Sequence, residues 1–189
     1  LSEDFHVVAP DLPGFGQSER PPLRYSAVLY EEFIREFLQE FDEPAVVASS
    51  LSAAYVAAID EIEPSGFIAV CPTATAGPCP PKSWLRELFR SPLLGEALFN
   101  LLTSKPSIHY FNADHGYYDP MYPGDDWIEY EWKTAHVENA RFAPASFIAG
   151  YLNSDCQLAA AFDDMESPPT IVWGREARIT PLADGRELA

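Results

Sequence analysis

Four apolar runs recur along the chain without polar interruption: FHVVA at 5–9, AVVA at 45–48, FIAVC at 67–71 and TIVW at 170–173. A strand with one wet face alternates apolar with polar side chains, whereas a strand covered on both faces does not. Each run therefore predicts a strand buried on both sides. Between the first two lies SAVLYEEFIREFLQEF, 26–41. Its Leu29, Phe33, Phe37 and Phe41, with Ile34 and Leu38, form one helical stripe, while Glu31, Glu32, Arg35 and Glu36 turn toward water. Ser26 stands where an N-cap belongs. A second helix fits 51–60. Strand alternating with helix predicts right-handed βαβ units and an α/β fold, a parallel sheet flanked by helices.

The alternation then stops. From Gly77 to Pro169 no strand is expected, and SWLRELFRSPLLGEALFNLL (83–102) predicts two helical pieces divided at Pro92. A helix over 125–136 opens with Asp125 as its expected N-cap, and 144–152 predicts another short one. Tyr117, Tyr118, Tyr122, Trp127, Tyr130 and Trp132 make this stretch strongly aromatic. The chain thus divides into a core segment at 1–76, a helical insertion at 77–165 over the carboxyl ends of the strands, and a second core segment at 166–189. The aromatic residues fit two roles equally well, a cover that selects a substrate or the insertion's own core.

Composition narrows the partners. The chain has 189 residues, 47% of them hydrophobic and 13% aromatic, enough for one domain with a substantial core. Acidic residues number 29 against 12 basic ones, a net charge of −17, which disfavours nucleic acid and anionic lipid as partners. Carboxylate excess with only three lysines also suits a protein of a salt-loving cell, where salt screens the self-repulsion. Cys71, Cys79 and Cys156 show no C-x-x-C spacing, so buried free thiols in a reducing compartment are expected, with no disulfide framework and no zinc site. Neither a signal peptide nor an apolar run of about 18 residues is visible, and a cytoplasmic location follows as an expectation. The first residue is Leu1 and not Met, which suggests a start further upstream.

The candidate chemistry lies in AVVASSLSAAYVAAI (45–59), with hydroxyls at Ser49, Ser50 and Ser52. A nucleophile on a sharp strand-to-helix turn needs small residues two before and two after it, because backbone and Cβ atoms come close there. Around Ser49 those positions are Val47 and Leu51, which are too bulky. Around Ser50 they are Ala48 and Ser52, and around Ser52 they are Ser50 and Ala54, all small. The apolar run ends at Ala48, which puts Ser50 on the turn and Ser52 in the first turn of the helix. Ser50 is therefore the favoured nucleophile, and a plain polar loop capping a helix is the bland alternative.

Two flanking segments extend the pattern. VVAPDLPGFGQSERP (7–21) runs from an apolar stretch into a D-x-P-G-x-G-x-S turn at Asp11 to Ser18, and PPTIVWGREARITP (168–181) ends an apolar run at Gly174. With the serine turn, these resemble the α/β-hydrolase superfamily, in particular its cap-bearing esterase and epoxide-hydrolase-like branch. The resemblance covers most of 5–76 and 168–182, with the first segment matching the family's strand 4 and the last its strand 7.

The resemblance implies a serine hydrolase of a small or medium apolar ester or acyl compound, without metal or cofactor. Ser50 matches the nucleophile, and the Leu51 backbone N–H matches one oxyanion donor. Two departures accompany the match. Ala177 stands where the family's G-x-x-D pattern places the acid, with Glu176 one residue earlier. His6, expected in the core of the first strand, and His109, His115 and His136 in the insertion match no family motif. The family's strand 3 would lie between 5–9 and 45–48, so those strands are expected to face a gap. The polypeptide alone is accordingly expected to be inactive and poorly soluble, the middle of a longer protein. A non-catalytic, ligand- or protein-binding member of the same fold is the competing reading, and perhydrolysis or C–C bond hydrolysis stays open beside both.

Overall fold

The computed structural model describes residues 3–119, 121, 122 and 124–189; Leu1, on which the expectation of an upstream start rests, lies outside them. Three parallel strands, β1 (Ala45–Ser49), β2 (Gly66–Val70) and β3 (Thr170–Val172), form one sheet in the order β1-β2-β3. Ala48 pairs with Ala69, and Ala69 with Ile171, which sets the register across the sheet. Helix α1 (Ala27–Leu38) precedes β1, and α2 (Leu51–Ala57) joins β1 to β2. This is the strand-helix-strand order that the apolar runs predict.

The run at 5–9 does not become a strand. It has no ladder partner among the described residues, and Phe5, Val7 and Val8 are 64%, 55% and 46% exposed. His6 is exposed as well and is not a core residue. The physical reason is pairing: an extended segment counts as a strand only where its N–H and C=O groups meet a neighbour. β1 and β3 are the two edges of the sheet, each pairing with β2 alone among the described residues.

Burial on both faces is also corrected. Val46, Ala48, Phe67, Ala69 and Ile171 face the core, but on the opposite side Val47 is 66%, Ile68 38% and Val172 46% exposed. A continuous apolar run permits two covered faces, yet covering them requires an element on each side. Among the described residues the helices pack on one side. There α2 lies against α1 and α8 (Leu158–Asp163), and the Phe162 ring of α8 meets Phe67 edge-on at 6.0 Å.

Helix α1 begins as expected, with the Ser26 hydroxyl accepting from the Leu29 amide at 3.4 Å. Its buried stripe is shifted from the expected one. Ala27, Tyr30, Ile34 and Leu38 face the core, while Leu29, Phe33 and Phe37 are only half-buried. Tyr30 explains the shift. Its ring stacks between Tyr25 at 6.1 Å and Tyr55 at 5.7 Å, and its hydroxyl donates to the Pro13 carbonyl at 2.9 Å. Tyr55 likewise donates to the Leu152 carbonyl at 2.6 Å and Tyr25 to that of Pro21 at 2.8 Å. Buried phenols contribute apolar area only where the hydroxyl finds an acceptor, and all three do.

Between β2 and β3 no strand occurs among the described residues. The chain forms α3 (Ser83–Arg90), α4 (Leu94–Leu102), α5 (Lys105–Phe111) with a π-turn at Asn112–Gly116, α6 (Asp125–Ala135) and α7 (Phe142–Ile148) before α8. The division at Pro92 is present. Gly124, and not Asp125, is the N-cap of α6; Asp125 is already helical and favours the positive helix start. Helix α7 starts two residues earlier than expected because Pro144 falls in its first turn, where a missing N–H costs nothing. A smaller core of Phe89, Phe99, Ala140 and Ala145 holds this region together. The aromatic stretch is not that core: Tyr118 and Tyr122 are 84% and 60% exposed. Helix α9 (Leu182–Leu188) follows β3, and no described helix is long and apolar enough to cross a membrane.

Candidate active site

The bend between β1 and α2 is made by Ser50, whose backbone sits at φ 55° and ψ −129°. A left-handed φ of this kind costs a residue with a Cβ about 1–3 kcal/mol and persists only where its surroundings impose it. Here they do. The Ser50 amide donates to the Val70 carbonyl at 3.0 Å, and the Ser50 carbonyl accepts from Ala53 at 3.1 Å and Thr73 at 3.3 Å. Ladder, helix start and the loop after β2 all hold this one residue. Ser49 is exposed at the end of β1, and Ser52 is half-buried within the first turn of α2. The turn is therefore at Ser50, as the register argument placed it.

Small neighbours follow from that turn. Ala48 is buried, and Ala53 and Ala54 are fully buried under α2. Leu51 anchors the helix start in the core, and its amide is the first of α2, with no acceptor inside the helix. The Ser50 hydroxyl makes no hydrogen bond among the described residues.

The ends of the other strands gather beside it. Cys71 continues the ladder by donating its amide to the Val172 carbonyl at 2.9 Å, and it too has positive φ, 44°. Beyond β3 the Trp173 indole donates to the Thr180 carbonyl at 2.8 Å and closes the loop 174–179. Ala177 is half-buried within that loop, and Glu176 is exposed without an ion-pair partner among the described residues. Arg178, which sequence reasoning passed over, reaches from the loop to Asp114 Oδ1 at 3.1 Å, in the π-turn after α5. No spacing signal links residues 64 positions apart.

The glycine loop is built as its residue types require. Gly14 and Gly16 have φ of 89° and 53°, and the Asp11 carboxylate accepts from the Gln17 amide at 2.8 Å while its carbonyl accepts from the Ser18 hydroxyl at 2.6 Å. Arg20 then donates to the carbonyls of Gly16 and Ser18, and to that of Thr134 at 3.3 Å, tying the loop to the end of α6. Two histidines have contacts of their own: His136 Nδ1 lies 2.8 Å from the Trp132 carbonyl, and His115 pairs with Asp114 at 3.2 Å. A cleft of about 590 Å³ is lined by Tyr117, Tyr122, Asp125, Asp126 and Trp127; Ser50 does not line it. The three cysteines are unpaired, and none is buried as expected: Cys79 is exposed, and Cys71 and Cys156 are half-buried.

A parallel α/β sheet with a serine strained at the carboxyl end of a strand defines the class of protein to which such sites belong. The chain is a member of the α/β hydrolase family: the model described as "Alpha/beta hydrolase family" matches residues 1–189. No curated protein matches the chain.

Proposed function

We propose that the complete protein hydrolyses a small or medium apolar ester or related acyl compound, with Ser50 as the nucleophile. The observation that carries this reading is the backbone of Ser50, held at positive φ by three hydrogen bonds at the strand-to-helix bend. Strain of that kind is retained where a side chain must be presented, since glycine would occupy the same turn at lower cost. The Ser50 oxygen attacks the carbonyl carbon, the Leu51 amide steadies the oxyanion, and the alcohol leaves as an acyl-serine forms. Water then releases the acid. The serine proton needs a base, and the contacts of His115 and His136 assign it to neither. The insertion at 77–165 covers the carboxyl ends of the strands, and its aromatic side chains favour an apolar acyl or alcohol group. The expected setting is cytoplasmic, with a small molecule as partner and neither nucleic acid nor membrane.

A second reading, a non-catalytic binder of a small apolar ligand or a protein, is favoured by Ala177, which offers no carboxylate to orient a histidine. A fluorophosphonate probe on the complete protein separates the two. The hydrolase reading expects labelling that disappears in Ser50→Ala and survives in Ser52→Ala. Absence of labelling supports the binder, and loss in Ser52→Ala alone moves the nucleophile to Ser52.

A further inference from the structure

Basic residues number only 12 in this chain, yet four arginines gather in one place. Arg86 and Arg90 lie one turn apart on α3, Arg24 comes from the segment before α1, and Arg141 stands just ahead of α7. The Arg86 guanidinium stacks 3.5 Å over the Tyr151 ring, and those of Arg90 and Arg141 each lie 4.6 Å from the centroid of one ring, Phe142. Burial lowers the pKa of Arg90, and the charges of Arg24, Arg86 and Arg141 lower it further against the opposing pull of Glu87. The four cations feel one another.

Of the four, only Arg24 has a carboxylate at hydrogen-bond distance. Glu87 lies 3.1 Å from Arg24 but 3.7 Å from Arg86 Nε, and Glu96 approaches Arg141 only to 3.9 Å. Arg90 directs its terminal nitrogens to the carbonyls of Leu23 and Pro22. Arg86 is 8% exposed, and its Nε, like that of Arg141, has no hydrogen-bond partner. A guanidinium carries five donors in a fixed fork, and buried donors in native proteins are matched.

We propose that Arg24, Arg86, Arg90 and Arg141 form a site for a doubly charged oxyanion, a phosphate or phosphate monoester. The charges balance: four arginines against Glu87 and Glu96 leave an excess of two, and such a phosphate carries close to two negative charges at neutral pH. Guanidinium forks match its oxygens in pairs. The chain as a whole, at −17, repels anions, so retention depends on this local cluster. The site is independent of Ser50 and of the reaction proposed for it.

Titrating the complete protein with inorganic phosphate and with phenyl phosphate, by calorimetry and thermal unfolding, tests the site. Chloride and acetate at matched ionic strength serve as controls. Saturable binding of either phosphate, absent with the controls, is expected; preference for phenyl phosphate assigns an ester, and equal binding assigns the free ion. Arg141→Met should weaken binding roughly tenfold or more, and Glu87→Gln should strengthen it by removing a competing carboxylate. No saturable response beyond chloride overturns the proposal, as does unchanged phosphate affinity in both variants. Where Arg141→Met fails to fold, Glu87→Gln decides alone: tighter binding supports the site and unchanged binding sinks it.

Discussion

The amide of Ser50 donates to the carbonyl of Val70 across 3.0 Å, so the bend that starts α2 is fastened to the end of the neighbouring strand. The bend cannot relax without breaking the last rung between β1 and β2. Both its strain and its placement follow from that rung.

Replacing Ser50 by glycine should therefore stabilise the protein. Relief of about 1–3 kcal/mol of backbone strain is partly offset by the roughly 0.5–1 kcal/mol that glycine loses in unfolded-chain entropy. A net gain of about 0.5–2 kcal/mol in urea unfolding is expected, together with loss of any fluorophosphonate labelling. A less stable Ser50→Gly protein would contradict the strain.

Gly14 couples the glycine loop to the core. A Cβ there would lie 2.5 Å from Ala143 Cβ and 2.9 Å from the Tyr25 ring, at a φ of 89° that side chains avoid. Both neighbours are buried, so neither yields cheaply. Gly14→Ala should cost about 2 kcal/mol or more, read from the shift in urea midpoint. A neutral substitution would show that the loop moves freely over α7.

The tyrosine stack sets an alkaline limit. Burial, helped by neighbouring Tyr25 and Tyr55, raises the pKa of Tyr30 above its ordinary 10, and burial and Glu31 do the same for Tyr55. Below pH 10 both folded and unfolded chains hold these protons, and stability is unaffected. Above it the unfolded chain releases them while the folded one does not, so stability falls by about 1.4 kcal/mol per pH unit per tyrosine. Urea midpoints measured across this range should drop, and less steeply in Tyr30→Phe. That variant also leaves the Pro13 carbonyl without its partner, at a cost of about 1–3 kcal/mol at neutral pH.

Self-repulsion at −17 predicts a response to salt. Raising KCl from millimolar to molar should increase the thermal midpoint, because screening shortens the range over which exposed carboxylates repel. A midpoint that stays flat or declines removes the salt-loving reading.

Some of this architecture was legible before any coordinates. The runs at 45–48, 67–71 and 170–173 became β1, β2 and β3 within a residue or so, because apolar β-rich runs of that length with helices between them have few other solutions. Small flanking residues left Ser50 and Ser52 as candidates for the turn, the end of the apolar run at Ala48 favoured Ser50, and the positive φ lies at Ser50. Helices α5, α8 and α9 went unforeseen. Arg178 and the arginine cluster were invisible for another reason: their members are far apart in sequence.

The sequence by itself determined the three strands with the helix between the first two, the tight bend at Ser50 and the acidic balance, because these depend on neighbouring residues and on totals. Only the tertiary structure decided that FHVVA stays off the sheet, that one sheet face is left open, and that Tyr30 is fully buried while Phe33 is only half-buried. Those outcomes depend on what stands opposite each segment. A run of apolar side chains states a demand for cover, and distant parts of the chain determine whether it is met.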